Sequence, residues 1–159
     1  MPPLALRFDS PPTFKYGIEI EGLLVGSFTS CSGLGATRET KEVEEGGIND
    51  HVYIVPGRLK YDKLTLKRGV TYSTALWDWF HEGYLDGKVK RRNMTIYLYG
   101  VNGIALKQWH IHKAFPVKWS GNDLRADSQE VAVETVEFVH EGFEVSNTAF
   151  ALLAGGNLI

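Results

Sequence analysis

Along much of this chain apolar and polar side chains alternate one for one, and that period admits few folds. Phe14, Tyr16, Ile18 and Ile20 interleave with Lys15, Gly17, Glu19 and Glu21. Leu64 and Leu66 interleave with Lys63, Thr65 and Lys67, and Met94, Ile96 and Leu98 share one parity in a third stretch. Successive side chains of an extended strand point to opposite faces, so each stretch predicts a strand with one dry and one wet face. Gly22 marks a turn, and Leu24 to Cys31 reads as one return strand, ended by Gly33 and Gly35. Val101-Asn102-Gly103 reads as a hairpin turn, with Ile104 to Lys113 returning from it. Phe115, Val117 and Trp119 continue the alternation after a corner at Pro116, and Gly121-Asn122-Asp123 turns the chain again. In the last long strand, Gln129 to His140, the apolar set passes from Val131 and Val133 to Val136 and Phe138, which predicts a bulge.

One stretch breaks the two-residue period. Leu76, Trp79, Phe80 and Gly83 recur at helical spacing after Ser73 and Thr74, either of which can cap a helix by accepting a free backbone amide. Trp77 and Tyr84 lie on another side, so this helix shows apolar surface in two directions. The plain reading is a helix that plugs a core; a second contact, with a neighbouring subunit, is the alternative. One helix among about seven antiparallel strands predicts a mainly β fold, a sandwich or distorted barrel.

Residues 36–60 fit neither period. Arg38, Glu39, Lys41, Glu42, Glu44 and Glu45 lead into Gly46-Gly47 with little to bury, and Pro56-Gly57 reads as a sharp exit. An excursion this long without clear structure is uncommon inside a compact domain. Tyr53, Val55 and Leu59 are apolar enough that its later part should dock on something.

Size and charge exclude several functions. The 159 residues fit one domain with a real core. The net charge of −2 gives no general reason to bind nucleic acid or a membrane surface. Residues 1–13, with Pro2-Pro3 and Pro11-Pro12, read as an extended arm rather than a signal peptide, so synthesis in the cytoplasm is expected. No apolar run reaches the roughly 18 residues of a membrane span. The single cysteine, Cys31, excludes an internal disulfide and reads as a small buried filler rather than a nucleophile.

No catalytic constellation stands out. His110 and His112 project from one strand face, but two ligands are too few for a zinc site. His51 beside Asp50, and His81 beside Glu82, reflect a chain rich in carboxylates. The Glu44-Glu45 pair lies in a glycine-flanked loop where it is solvated, so no catalytic, metal or cofactor residues are assigned. The basic run KVKRR at 88–92, followed by Tyr97 and Tyr99, is the one argument for a nucleic-acid-binding β module.

An ordered set of phrases is more specific than any of these. SCSGLGA (30–36), EEGGIND (44–50), VPGRLKYDKLTLKRG (55–69), WDWF (77–80), RRNMTIYLYG (91–100), HKAFPVKWSGNDL (112–124) and VAVETVEFVHEG (131–142) follow one another. Together they resemble the tail-tube proteins of contractile phages and of phage-derived contractile injection systems, over roughly residues 14–142. LTLKRG with AFPVKW at this spacing carries the likeness.

The resemblance implies a non-enzymatic subunit whose hexameric rings stack into a hollow tube. That tube stands inside a contractile sheath, between a baseplate with its spike and a tube-terminating protein, and conducts DNA or protein effectors. Residues 14–142 are then the tube domain, 36–60 a long inter-subunit loop, and 143–159 a C-terminal tail. Candidate subunit contacts are Glu44, Glu45, Gly46, Gly47, Asn49, Pro56 and Gly57, with Trp77 and Tyr84 on the helix. A type VI secretion-like ring carrying effectors is the alternative within the same architecture.

Overall fold

In chain order the described elements are β1 (Lys15–Ile20), β2 (Leu23–Phe28), β3 (Ser30–Ser32), β4 (Ala36–Val43), β5 (Tyr53–Tyr61) and β6 (Leu64–Gly69). Then come α1 (Ala75–His81), β7 (Arg92–Tyr99), β8 (Ala105–Ser120), β9 (Val133–Val139) and β10 (Gly142–Ser146). The computed structural model describes residues 15–21, 23–47, 50–69, 73–100, 103–121, 125–127 and 132–147, with backbone alone at 15 and 23–27. The arm 1–13, Asn49, Val131, parts of the turns at 101–103 and 121–123, and tail residues 148–159 lie outside the described residues.

Every pairing is antiparallel, along the path β2-β1-β7-β8-β9-β6-β3, with β10 added on β8. The sixteen-residue β8 joins two sheets. Its first half pairs with β7 and β10, its second half with β9. The ribbon folds over so that Ile18, Ile96 and Ile111 of the first sheet meet Leu64, Leu66, Val136 and Phe138 of the second in one core. Leu76 and Trp79 plug it from α1, the Trp79 ring 5.4 Å from that of Phe138. The fold is mainly β with one described helix and does not close into a barrel: β2 and β3 end the path. Thr29 links them, its amide donating to the Lys67 carbonyl at 2.9 Å.

Several sequence expectations change. Leu24 to Cys31 is not one strand: the chain leaves the first sheet at Phe28 and enters the second at Ser30. The stretch 36–60 is structured, because β4 and β5 form a hairpin of their own. Its strands escaped notice because Thr37, Glu39 and Lys41 on one face and Arg38, Thr40 and Glu42 on the other leave no dry side. Pro56 and Gly57 lie inside β5 rather than at an exit. Arg38 pairs with Leu59 and Thr40 with Pro56, so Gly57 and Arg58 bulge opposite Glu39. A Cβ on Gly57 would stand 3.0 Å from the Glu39 carbonyl oxygen, which explains the glycine.

The bend of β8 is at Lys113, not Pro116. Lys113 has a positive φ of 49° and shares with His112 the space opposite Asn93, whose Oδ1 accepts the Lys113 amide at 3.1 Å. Val117 is a second extra residue, between Pro116 opposite Phe138 and Lys118 opposite Glu137. The bulge expected in β9 is absent from 133–138, which pair with β6 without a slip. The apolar pattern shifts there because Glu134 occupies the dry face beside Val136 and Phe138. β10 adds a strand that the sequence reading placed in the tail.

Candidate functional site

Reactive groups are scattered in the fold. Cys31 is packed against the core, and burial pushes its thiol up to about 12, which leaves no thiolate near neutral pH. His110 and His112 share a face of β8; Thr95 Oγ1 meets His110 Nδ1 at 3.2 Å, and His112 lies 3.8 Å from Glu144. His51 stands edge-on to the Tyr53 ring, exposed. Among the described residues no three His, Cys, Asp or Glu side chains group as metal ligands, and no helix is long and apolar enough to cross a membrane. Tyr97 donates to Glu19 at 2.7 Å; that bond, burial and the nearby negative charge raise its phenol to about 12.

The basic run at 88–92 is met from within the subunit. Arg91 pairs with Glu141 at 2.6 Å, Arg92 with Glu82 at 2.6 Å, and Lys90 stands 3.9 Å from Glu21. Arg91 also covers the Phe115 ring and Arg92 the Trp79 ring, at 5.3 and 5.4 Å. Arg91 and Arg92 are thus shared with carboxylates and rings of the same chain, which leaves them less available to neutralise phosphates.

What the fold does present is unpaired surface. Every described residue from Ala36 to Lys60 is exposed, so the β4–β5 hairpin stands clear of the core. Val43, Tyr53 and Val55 lie on one of its faces, and Ile54, Pro56 and Leu59 on the other. An isolated two-stranded hairpin is marginal in water, and apolar residues on both faces raise the demand for a covering partner. Glu44, Glu45, Gly46 and Gly47 form its tip, around an open, acidic concavity of about 580 Å³ that Asp50 and His51 also line. Pro56 and Gly57 sit midway along its second strand.

Trp77 and Tyr84 belong to a second group. Trp119, Trp77, His81 and Tyr84 form a ladder of rings with centroids 4.8, 5.6 and 4.8 Å apart. Its outer end is open to solvent: Tyr84 is 74% and Leu85 91% exposed. Thr74 occupies the N-cap position, but its hydroxyl bonds Asp78 rather than a backbone amide. Ser73 Oγ lies 3.5 Å from the Ala75 amide, the long limit of a cap. Ile54 and Leu85 were not singled out by sequence; Leu85 could have been found as an apolar residue just past a helix end.

The framework behind these surfaces is tied by a buried pair. Arg68 on β6 and Glu134 on β9 are direct neighbours in register, and Trp119 Nε1 donates to the second carboxylate oxygen at 2.5 Å. Arg68 also donates to the Ser73 carbonyl at 3.2 Å, fixing the entry to α1. Arg68 shares the parity of Leu64 and Leu66, and Glu134 that of Val136 and Phe138, so both charges stand on the dry faces of their strands.

The fold has known counterparts. A chain in the structure of the anti-feeding prophage (AFP) tube-terminating cap is 26% identical with a TM-score of 0.76, over 87% of this chain and 91% of that one. A chain of the PVC sheath-tube complex, an extracellular contractile injection system, is 24% identical with a TM-score of 0.77, over 89% and 95%. A type six secretion system protein is more distant, 11% identical with a TM-score of 0.59 over 85% and 83%. No curated protein matches. The profile of the T4-like virus tail tube protein gp19 covers residues 12–144. The chain therefore belongs to the T4-like tail tube protein family.

Proposed function

We propose that this chain is the inner-tube subunit of a contractile tail or injection particle, acting mechanically rather than catalytically. Hexameric rings of it stack into a hollow conduit that carries cargo. The observation that carries the reading is the β4–β5 hairpin, exposed at every described residue from Ala36 to Lys60 and bearing apolar side chains on both faces, on a chain of the tail-tube family. A strand pair so built is completed by another copy, and a head-to-tail contact of this kind generates a ring when its rotation closes. Obligate contacts of this class bury about 2,000 Å² or more, so ring and fold are stabilised together.

The partners proposed for it are a contractile sheath around the tube, a baseplate with its spike, and a terminating cap. The likeness to the PVC sheath-tube complex and the AFP cap supports this. A secreted type VI-like ring is less well supported, the match to that system being the weaker in both identity and TM-score.

The test is the state of the purified chain. Sedimentation and negative-stain imaging at rising concentration are expected to show rings or tubes. A well-folded single chain at high concentration would overturn the reading.

A further inference from the structure

We infer that the corner between β9 and β10 is a joint that aims the β4–β5 hairpin. His140 and Phe143 hold Tyr61 and Asp62 at the hairpin's base and fix its direction before a second copy arrives. This rests on the tube reading above and adds how the assembly arm is positioned.

The hairpin needs such a joint. Neither of its strands pairs with any other described strand, so no backbone ladder carries over to it from the two sheets. Its legs leave the body side by side: Ala36 faces Tyr61, and the Asp62 amide donates to the Gly35 carbonyl at 3.1 Å. That bond ties the legs to each other but leaves the pair free to swing. Eight residues of β4 make an arm about 26 Å long, so a swing of about 10° at the base carries the tip about 5 Å.

Rings on the body take up that freedom. Tyr61 is half-buried, where every described residue of the hairpin farther out is exposed. Its ring meets Phe143 edge-on with centroids 5.3 Å apart and lies 5.7 Å from His140, which stands 5.9 Å from Phe143. Phe143 packs against the main core, so this triangle of rings connects the hairpin to the rigid framework. Gly142 makes room for it: an added Cβ would stand 3.1 Å from the Tyr61 ring.

His140 adds a directional bond. Its Nε2 lies 3.1 Å from the Asp62 carbonyl oxygen, and a carbonyl only accepts, so Nε2 carries the hydrogen. In the neutral ring Nδ1 is then bare, and it is buried with no hydrogen-bond partner among the described residues. A phenylalanine would fill the same space without that unpaired acceptor, so packing alone does not account for a histidine here. The bond to Asp62 does. It catches the backbone of one leg at the residue whose amide holds the other, so one side chain steadies both.

Pulsed electron paramagnetic resonance on unassembled subunits tests the joint apart from the tube reading. In a Cys31→Ala background, spin labels at Glu45→Cys on the hairpin and Ser146→Cys on β10, both exposed, are expected to give one narrow distance distribution. His140→Ala and Tyr61→Ala release the joint from either side. Each should broaden the distribution by about 5 Å, the travel of the tip in such a swing. His140→Gln, which keeps a side-chain N–H, should narrow it again. Neither His140 nor Tyr61 belongs to the main core, so circular dichroism of the variants should match the parent. A parent distribution as broad as those of the variants, or variants as narrow as the parent, would overturn the joint. If a freed arm points correctly about one-tenth of the time, the protein concentration needed for tubes rises about ten-fold. Both alanine variants assembling at the parent's concentration would overturn the joint's part in assembly. A parent that stays single at every concentration overturns the tube reading instead, and the distances still decide the joint.

Discussion

Arg68 and Glu134 face each other across the β6–β9 register, Nε 2.8 Å from Oε2, with the arginine side chain only 2% exposed. The pair links strands from distant parts of the chain, and through Trp119 and the Ser73 carbonyl it also holds β8 and the start of α1. Removing one partner strands the other charge. Glu134→Ala is expected to lower the unfolding free energy by about 3–5 kcal/mol, read from urea denaturation. Arg68→Met combined with Glu134→Leu should recover most of that loss, since well-packed apolar residues can replace a buried ion pair. A double variant no more stable than Glu134→Ala would show that the pair does more than balance its own desolvation.

Gly33 sits where only glycine fits. Its φ is +87°, and an added Cβ would meet the Lys63 carbonyl oxygen at 1.8 Å. Gly33→Ala is expected to cost more than the roughly 1–3 kcal/mol of left-handed strain alone, because backbone must also move. Gly46→Ala, with nothing within 4 Å of the added Cβ, should leave the midpoint of thermal unfolding unchanged. Together the two variants separate backbone constraint from loss of flexibility.

Deleting Glu44–Asp50 at the hairpin tip should spare the fold, since every described residue there is exposed. Circular dichroism is expected to match the parent, while electron micrographs show fewer and shorter tubes. Equal tube yield would remove the tip from the assembly contacts.

The exposed end of the ring ladder makes a parallel case. Tyr84→Ser with Leu85→Ser is expected to shift stability by no more than about 0.5 kcal/mol, given exposures of 74% and 91%. Tube assembly, followed by light scattering, should need a higher protein concentration if this patch is a subunit contact. An unchanged critical concentration would argue against it.

Alkaline pH probes two further groups. Cys31 is raised from 9.0 to about 12 by burial, and Tyr97 from 10.0 to about 12, first by its bond to Glu19. Both ionise earlier in the unfolded chain, which then binds fewer protons than the folded one. Their contribution is intact below pH 9 and is lost as pH rises through the window to about 12. Glu19→Gln is expected to lower the Tyr97 pKa, measured by NMR of ring-labelled tyrosine. Cys31→Ala should flatten the fall in stability above pH 9.

Local sequence determined what local physics can encode. The period of two at Ile18 and Ile20, Leu64 and Leu66, and Met94 and Ile96 marked strands whose dry faces are buried as expected, and the spacing of Leu76 and Trp79 marked the helix. Such patterns report burial, because one wet and one dry face leave their trace in consecutive residues. The hairpin has no dry face, so β4 left no trace, although the acid-rich 36–60 segment was still recognisable as something awaiting a partner. Tertiary structure alone decided that Arg68 and Glu134 lie inside, since each charge is tolerable there only because the other comes from 66 residues away. It likewise decided that β8 serves two sheets, through a bulge at Lys113 whose need arises from the strands packed beside it. Strand pairing depends on partners remote in sequence, and no short pattern of hydropathy contains them.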